Sequence, residues 1–288
     1  MTGGGLRHRR NAPAPLECRA VQPDYDEMTQ RNIGLLTPQE QARVRSLVVA
    51  VAGCGGVGAP AAHHLARLGV GELRLADPEE FEPSNINRQF AAYVDTLGVN
   101  KAEAVAAELS RINPSLSLRT FADGVTEATI AGLLDGADAV VDALDFWSLD
   151  LELLLHREAA RRGQWVFTSQ GVAEVTTVTS FDPSRRALDG MVCDAGVPSR
   201  AKTIRSFLPV LPRAATPELL ARAIAGELPS VPLDVLASSF EATFLVNELM
   251  RVTVRDLPAH AVAPDLLVFD QDDLELRFWD AARGDFRS

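Results

Sequence analysis

Cysteine is scarce in this sequence, and no apolar run approaches the length of a membrane span. The three cysteines among 288 residues, Cys18, Cys54 and Cys193, lie far apart and form no Cys-x-x-Cys pair. This spacing argues against a disulfide framework and against a cysteine-based zinc site. A membrane-spanning helix would need about 20 consecutive apolar residues, and no segment provides them. We therefore expect a cytoplasmic protein that does not act at a membrane.

Basic residues are outnumbered by acidic ones. The chain has 28 lysines and arginines against 39 aspartates and glutamates, which gives a formal net charge of -11. This charge argues against broad contacts with a phosphate backbone, and therefore against nucleic acid as the main partner. A small anionic ligand is still compatible with it, because a local cluster of donors can outweigh the overall charge.

Strand and helix patterns alternate over the first two thirds of the sequence. Short apolar runs, typical of strands that are buried on both faces, are followed by helical segments. The predicted strands cover residues 46–53, 72–77, 116–122 and 138–144. This alternation predicts an α/β protein with a doubly wound, mainly parallel, Rossmann-like sheet.

The later part of the chain changes character. Alternating β-branched residues over 174–182 predict a half-exposed antiparallel strand. A long excursion rich in proline and arginine follows, with a predicted helix over residues 217–225. A further helix over 233–249 and two short strands then complete a predicted antiparallel C-terminal extension.

A glycine-rich loop follows the first predicted strand. Gly53, Gly55 and Gly58 spell G-x-G-x-x-G, and Gly56 adds a fourth position without a side chain. Glycine lets the backbone turn tightly and lets phosphate oxygens approach the amides at the positive end of a helix. Asp77, at the end of the next strand, could accept a hydrogen bond from a ribose hydroxyl or could be a plain turn residue. These features fit NAD and ATP equally well.

Polar donors beyond the second strand distinguish the two nucleotides. The segment SNINRQ places Asn85, Arg88 and Gln89 close together, and Lys101 opens the next predicted helix. Amide, guanidinium and ammonium groups are suited to binding a base, a ribose or a polyphosphate. Hydride transfer does not need such donors, so they favour a triphosphate.

Two acids follow the strand over residues 138–144. Asp142 and Asp145 come at the carboxyl edge, where ligands bind in doubly wound sheets. A carboxylate beside a polyphosphate can bind Mg²⁺ through its oxygens. Asp142 could equally cap the following turn.

Residues 30–183 resemble the adenylyltransferase family of MoeB, ThiF and the ubiquitin-activating enzymes, which activate a C-terminal carboxylate as an acyl adenylate. The paired Cys-x-x-Cys motifs common in that family are absent, so its peripheral zinc is not expected. The shared features are GCGGVG, Asp77, SNINRQ, Lys101 and Asp145.

The resemblance implies a role for each of the matched residues. Asp77 would hold the ribose of ATP, while Asn85, Arg88 and Lys101 would bind its phosphates. The glycine loop and Gln89 would complete the nucleotide site. A carboxylate would then attack the α-phosphorus of ATP without a general base, because the nucleophile is already an anion.

The resemblance also implies a metal and two kinds of partner. Asp145 would hold Mg²⁺. Arg31, in the segment TQRNIGLLTPQEQ, matches an arginine that reaches the partner subunit's ATP site, so a homodimer is implied. The carboxylate would belong to the C-terminus of a small carrier protein or a peptide.

Two alternative functions remain open, and one cysteine is a further candidate nucleophile. Phe146 stands where the family has asparagine, and Asp150 lies where an arginine is usual, which motivates a non-catalytic nucleotide-binding partner. An NAD-dependent oxidoreductase is also allowed by the glycine loop and Asp77. Cys193 could act as a nucleophile or simply be a small loop residue, and its flanks do not match the family's catalytic cysteine.

The predicted organisation has three parts. Residues 1–25, rich in glycine, proline and arginine, form a flexible tail without the apolar stretch of a signal peptide. Residues 26–182 form the ATP-binding adenylation core. Residues 183–288 form a C-terminal elaboration, whose mobile loop, helix and strands complete the same domain.

Overall fold

The structure is a computed structural model that describes residues 23–145, 147–185, 187–213, 215–227 and 232–287. Most of the predicted tail, Phe146 and part of the predicted mobile loop lie outside the described residues. The division of the chain at residues 25 and 182 therefore stays a prediction.

The first half of the chain alternates strands and helices as the sequence predicts. It opens with two helices, α1 (Tyr25–Thr29) and α2 (Pro38–Ser46), separated by a 3₁₀ turn at Gln30–Asn32. The alternating elements are β1 (Val48–Ala52), α3 (Gly58–Leu68), β2 (Glu72–Ala76), α4 (Lys101–Ile112), β3 (Ser117–Phe121), α5 (Ile130–Leu134), β4 (Ala139–Asp142) and α6 (Leu149–Arg161).

The second half adds antiparallel strands and a long helix. Its elements are β5 (Trp165–Val172), β6 (Val175–Phe181), α7 (Ala187–Val192), β7 (Cys193–Asp194), β8 (Val197–Pro198), α8 (Arg200–Phe207), α9 (Pro217–Ala225), α10 (Val235–Thr253), β9 (Leu266–Asp270), β10 (Glu275–Asp280) and β11 (Asp285–Phe286). The predicted helix over 217–225 is confirmed, with a cap from the Thr216 side chain. The hairpin β7–β8, helix α8 and strand β11 are additions that the sequence pattern did not reveal.

One sheet joins the two halves. Its strand order is β11-β10-β9-β6-β5-β4-β1-β2-β3. The strands from β3 to β5 are parallel, whereas the pairs from β5 to β11 are antiparallel. The predicted α/β class, the doubly wound parallel part and the antiparallel extension are confirmed.

Helices cover both faces of the parallel strands. Val49 and Val51 of β1 pack in a cluster with α3, α4 and α10, whereas Ala50 and Ala52 pack in a second cluster with α5, α6 and α7. Successive side chains of a strand point to opposite faces, so both faces of β1 must be apolar. This explains the continuous apolar runs in the sequence. None of the helices in the described part of the chain has the length and apolarity that crossing a bilayer requires.

Strand β6 differs from its prediction. The sequence predicts a half-exposed strand, but all seven residues of β6 are buried. The antiparallel pairing is correct, with β5 on one side and β9 on the other. Two of its hydroxyls bond to backbone carbonyls: Thr177 donates to Gln170 over 3.1 Å, and Thr179 donates to Asp265 over 2.8 Å. Threonine is polar in the sequence pattern yet fits a buried strand when its hydroxyl finds such an acceptor.

Candidate functional site

A cleft of about 260 Å³ opens at the carboxyl edge of the parallel strands. The strand order reverses there, because β2 and β3 lie on one side of β1 and β4 lies on its other side. Doubly wound sheets bind ligands at such a point. Most of the predicted site residues line this cleft: Gly53, Gly55, Gly56, Asp77, Arg88, Gln89, Lys101 and Asp145. Gly58, Asn85 and Arg31 are not among its lining residues.

The four glycines of the loop divide into two pairs. A Cβ on Gly53 would lie 2.2 Å from the carbonyl oxygen of Ala143, and one on Gly58 would lie 1.9 Å from that of Gly53. These two positions therefore need glycine for packing, and Gly53 also has a φ of +92°. Gly55 and Gly56 are less tightly packed, since a Cβ would lie 3.5 Å from Gln89 Nε2 at Gly55 and 3.1 Å from Ser238 Oγ at Gly56, and both border the cleft together with Gly53.

Asp77 connects the glycine loop to the end of β2. Its Oδ2 accepts from the backbone N–H of Cys54 over 2.7 Å, and its Oδ1 accepts from that of Glu79 over 2.9 Å. Burial raises the pKa of Asp77, although both N–H groups act in the opposite direction. Asp77 therefore does stabilise the turn after β2, as its alternative interpretation predicts. Each carboxylate oxygen has a further lone pair for a ligand hydroxyl.

Lys101 is a buried cation at the start of α4. Its Nζ lies 2.5 Å from Oε2 of Glu79. The lysine side chain is 6% exposed, whereas that of Glu79 is 69% exposed. Asn100 positions this helix end, because its side chain accepts from the N–H of Glu103 and donates to the carbonyl of Asp77. Glu79 and Asn100 were missed in the sequence, where neither belongs to a motif.

The SNINRQ segment places its three predicted residues differently. Arg88 borders the cleft, and its Nη1 donates to the carbonyl of Ser84 over 3.2 Å. Gln89 is buried beside Gly55, and its Oε1 has no hydrogen-bond partner among the described residues. Asn85 instead forms a local hydrogen bond. Its Oδ1 accepts from the N–H of Glu82 over 2.9 Å and caps the 3₁₀ turn Pro83–Asn85.

The two acids after β4 have different environments. Asp142 is buried, and its Oδ2 lies 2.8 Å from Nε2 of His156. Its Oδ1 accepts from the N–H of Leu144, so Asp142 does cap the following turn. Asp145 is exposed and borders the cleft. Glu152 lies near both acids, and burial together with their charges raises its pKa well above the ordinary range.

A third acid, Glu241, reaches the cleft from α10. The residue is fully buried yet forms part of the cleft wall. Burial raises its pKa to about 8, although the charge of Arg88 acts in the opposite direction. No sequence pattern pointed to it, because Glu241 lies far along the chain from the motifs and its helix has the pattern of an ordinary core helix.

The cysteines and Arg31 lie elsewhere. Cys54 is buried within the glycine loop, and burial raises the pKa of its thiol well above the ordinary range. Cys193 is buried in β7 and is not among the residues that line the cleft. Arg31 lies in the exposed 3₁₀ turn before α2.

Comparison with known proteins gives a family and several relatives. The sequence model of the ThiF family matches residues 29–278. A SAMP-activating enzyme E1 of Haloferax volcanii is 41% identical over 108 residues, which are 38% of this chain and 40% of the relative. The tRNA threonylcarbamoyladenosine dehydratase of Bacillus subtilis is 35% identical over 139 residues, which are 48% of this chain and 54% of the relative. The chain thus matches about half or less of the length of these curated relatives.

Solved structures of E. coli MccB have a similar fold. The structure of MccB with AMPCPP and MccA has a TM-score of 0.67 at 17% identity, and the match covers 88% of this chain and 72% of that one. Another MccB structure contains ATP. At this identity the likeness shows that the two chains share a fold.

Proposed function

Because the chain belongs to the ThiF family, we propose that it is an ATP- and Mg²⁺-dependent adenylyltransferase that converts a carboxylate into an acyl adenylate. The observation that carries this proposal is the convergence of Arg88, Lys101 and Asp145 on one cleft beside the glycine loop. Two cations and an accessible carboxylate suit a triphosphate with its metal. The binding of a dinucleotide for hydride transfer would not require these two cations together with a carboxylate.

The nucleotide would lie along the β1 and β2 side of the cleft. Asp77 would accept from the ribose, and Gln89 would offer its buried amide to the nucleotide. The phosphates would approach the backbone at Gly55 and Gly56, next to the positive end of α3. Asn85 would act indirectly, by holding the turn from which Arg88 and Gln89 project.

Lys101 would exchange one anionic partner for another. Its present partner, Glu79, is an exposed carboxylate that can turn towards water at little cost. A phosphate oxygen could then accept from the buried ammonium. The ion pair would thus keep Lys101 paired until ATP arrives.

The acids after β4 fit a magnesium site at Asp145. Asp142 is committed to His156, whereas Asp145 is exposed at the cleft. One carboxylate together with phosphate oxygens is a donor set that Mg²⁺ accepts. Bound there, Mg²⁺ would neutralise charge on the phosphates.

The reaction would need charge stabilisation rather than proton transfer. A carboxylate oxygen of the substrate would form a bond to the α-phosphorus as the bond to the pyrophosphate oxygen breaks. Arg88 and Lys101 would stabilise the charge that develops on the phosphates. We also propose that Arg31 acts in the cleft of a second copy, so that the protein works as a homodimer.

The acyl substrate would be the C-terminus of a small carrier protein or a peptide. The relative named a SAMP-activating enzyme and the MccB structure with MccA support this substrate class. The dehydratase relative favours a second candidate, the carboxylate of threonylcarbamoyladenosine in tRNA. The net charge of -11 opposes contact with a tRNA backbone, so the peptide substrate is preferred.

Calorimetric titration would test the nucleotide preference first. MgATP, NAD⁺ and NADH are titrated separately into the wild type, Arg88→Ala and Asp145→Ala. We expect MgATP binding that weakens at least tenfold in both variants, with little affinity for either dinucleotide. Arg283→Ala and Asp123→Ala, which change exposed residues outside the cleft, serve as matched controls. Tight NADH binding without MgATP binding would refute the proposal.

A further inference from the structure

Glu241 is a buried carboxyl group without a hydrogen-bond partner among the described residues. Neither Oε1 nor Oε2 has one, and the residue is fully buried. The residue nevertheless belongs to the lining of the cleft. A buried polar group without a partner is destabilising, more so when charged, so such a group in a ligand cleft calls for an explanation.

Glycine at position 171 makes room for this carboxyl. A Cβ on Gly171, which lies near the end of β5, would be 1.5 Å from Oε1 of Glu241. Any other residue at 171 would therefore displace the carboxyl from its position. The side chain of Leu233 lies next to the same space, with its Cδ1 3.3 Å from the Cβ built on Gly171. Strand β5 and helix α10 together hold the carboxyl against the cleft.

The cleft has two dissimilar sides. The side formed by β1, β2 and α4 carries the glycine loop, Asp77 and Lys101, which suit a nucleotide. The other side is largely apolar, with polar groups at Asp145, Ser148, the end of β5 and Glu241. Its apolar residues are Trp147, Leu151, Val172, Leu208 and Leu233. An acyl substrate that attacks a nucleotide bound on the first side would lie along the second.

The chemistry of the Glu241 carboxyl determines which ligand groups can form a hydrogen bond with it. An ionised carboxylate only accepts hydrogen bonds, and a protonated one donates a single O–H while its other oxygen still accepts. In either state, at least one buried oxygen needs a donor. The phosphates of ATP and the reacting carboxylate are acceptors, and the ribose hydroxyls belong at Asp77. Arg88, whose charge acts on Glu241, forms no hydrogen bond with it, and the adenine amino group would lie with the nucleotide on the opposite side of the cleft. This leaves the acyl substrate, on the side of the cleft to which Glu241 belongs.

We propose that Glu241 is a specificity-determining residue that accepts a hydrogen bond from an N–H of the acyl substrate close to its reacting carboxylate. This inference rests on the adenylyltransferase function proposed above and deepens it. The backbone N–H of the last residue of a peptide is such a donor, a few bonds from the carboxylate. A simple carboxylic acid lacks this donor and would leave the Glu241 oxygen unpaired. The enzyme would therefore select peptides and N-acylated amino acids.

Two stable mimics of an acyl adenylate test this inference directly. Both are sulfamoyl adenosines: one carries an N-acetylglycyl group, and the other carries an acetoxyacetyl group, in which an ester oxygen replaces the N–H. Each is titrated calorimetrically into the wild type, Glu241→Ala and Glu241→Gln. Glu248→Gln, the same substitution on the same helix but outside the cleft, is the control.

The wild type and the Glu248→Gln control should bind the N–H mimic about 10- to 100-fold more tightly than the ester mimic. Glu241→Ala should reduce this preference to less than about threefold. Glu241→Gln should retain most of it, because its amide oxygen can still accept. Gly171→Ala should lose the preference as well, and it keeps the test decisive if Glu241→Ala does not fold.

The outcomes separate this inference from the function on which it rests. If neither mimic binds the wild type more tightly than AMP does, the adenylyltransferase proposal is wrong, and this inference is wrong with it. If both mimics bind tightly with equal affinity, adenylation stands and the role of Glu241 is refuted. A preference that survives in both Glu241→Ala and Gly171→Ala would also refute it.

Discussion

Asp142 and His156 lie fourteen residues apart in sequence and meet in the interior, where Asp142 Oδ2 is 2.8 Å from His156 Nε2. The pair connects the end of β4 to the middle of α6. It removes Asp142 from the set of groups available to a ligand and leaves Asp145 at the cleft. The pair therefore supports the structure around the candidate metal site rather than the site itself.

The first prediction concerns this pair. His156→Ala leaves the buried Asp142 without its partner and should lower the free energy of unfolding by about 3 kcal/mol. The affinity of the folded protein for MgATP should change less than about threefold, because Asp142 does not face the cleft. Urea unfolding and calorimetry measure the two quantities. Arg157→Ala, on an exposed position of the same helix, should cost less than about 1 kcal/mol. A large loss of MgATP affinity in His156→Ala would show that Asp142 belongs to the site.

The second prediction concerns Lys101 and Glu79. Glu79→Gln removes a negative charge that competes with phosphate for the ammonium, so the Kd for MgATP should fall about three- to tenfold. Lys101→Met removes the cation and should raise the Kd at least tenfold. Calorimetry at low and high salt measures both, with Glu80→Gln as the neighbouring control. An unchanged Kd in Glu79→Gln would mean that the ion pair persists when ATP binds.

The third prediction is a pH dependence of stability caused by Glu241. Its pKa is raised from 4.5 to about 8 in the folded protein, so the folded state binds a proton that the unfolded state releases between these values. The contribution of Glu241 is fully present below about pH 4.5 and is lost as pH rises towards 8. The stability of the wild type relative to Glu241→Gln should therefore fall by up to about 1.4 kcal/mol per pH unit in this window.

Urea unfolding of both proteins at pH 5, 6, 7 and 8 measures this difference. Glu127→Gln, at an exposed position, is the control and should track the wild type throughout. A difference between wild type and Glu241→Gln that stays constant over the window would contradict the raised pKa of the folded state.

The fourth prediction concerns Arg31 and the proposed homodimer. If Arg31 acts in the site of the second copy, a mixture of Arg31→Ala and Asp145→Ala chains should form heterodimers with one complete cleft. After random exchange of subunits, about a quarter of the wild-type high-affinity MgATP sites should return. Calorimetry of the mixture and of each variant alone measures the recovery. A mixture that binds no better than its components would place Arg31 outside the partner's site.

The parallel half of the fold could be predicted because its signals are local. Strands buried on both faces must be continuously apolar, as β1 shows, and α3, α5 and α6 each begin within ten residues of the end of the preceding strand. The nucleotide side of the cleft was equally accessible, since its glycine loop, Asp77 and Lys101 belong to recognisable motifs. Asn85 differs from them: its side chain type suits a ligand as well as a turn, and in the structure it accepts a hydrogen bond from the N–H of Glu82.

The rest depends on contacts between distant parts of the chain. The burial of β6 follows from the packing of α10 and the pairing with β9, neither of which is visible in the alternation of β6 itself. The pairing of Asp142 with His156 depends on how α6 returns over β4. Glu241 could not be identified from the sequence, because the space for its carboxyl is provided by Gly171, a residue on another element seventy positions earlier.

The two sides of the cleft come from distant parts of the chain, and this gives them different positions in the order of synthesis. A ribosome completes the glycine loop, Asp77 and Lys101 long before it reaches α10. A nascent chain that ends before residue 235 has the residues for a nucleotide but not the carboxyl that we assign to the acyl substrate. It also lacks the helix that covers β5 and β6. The selectivity that we propose therefore arises at the same step of synthesis as the helix that packs on β5 and β6.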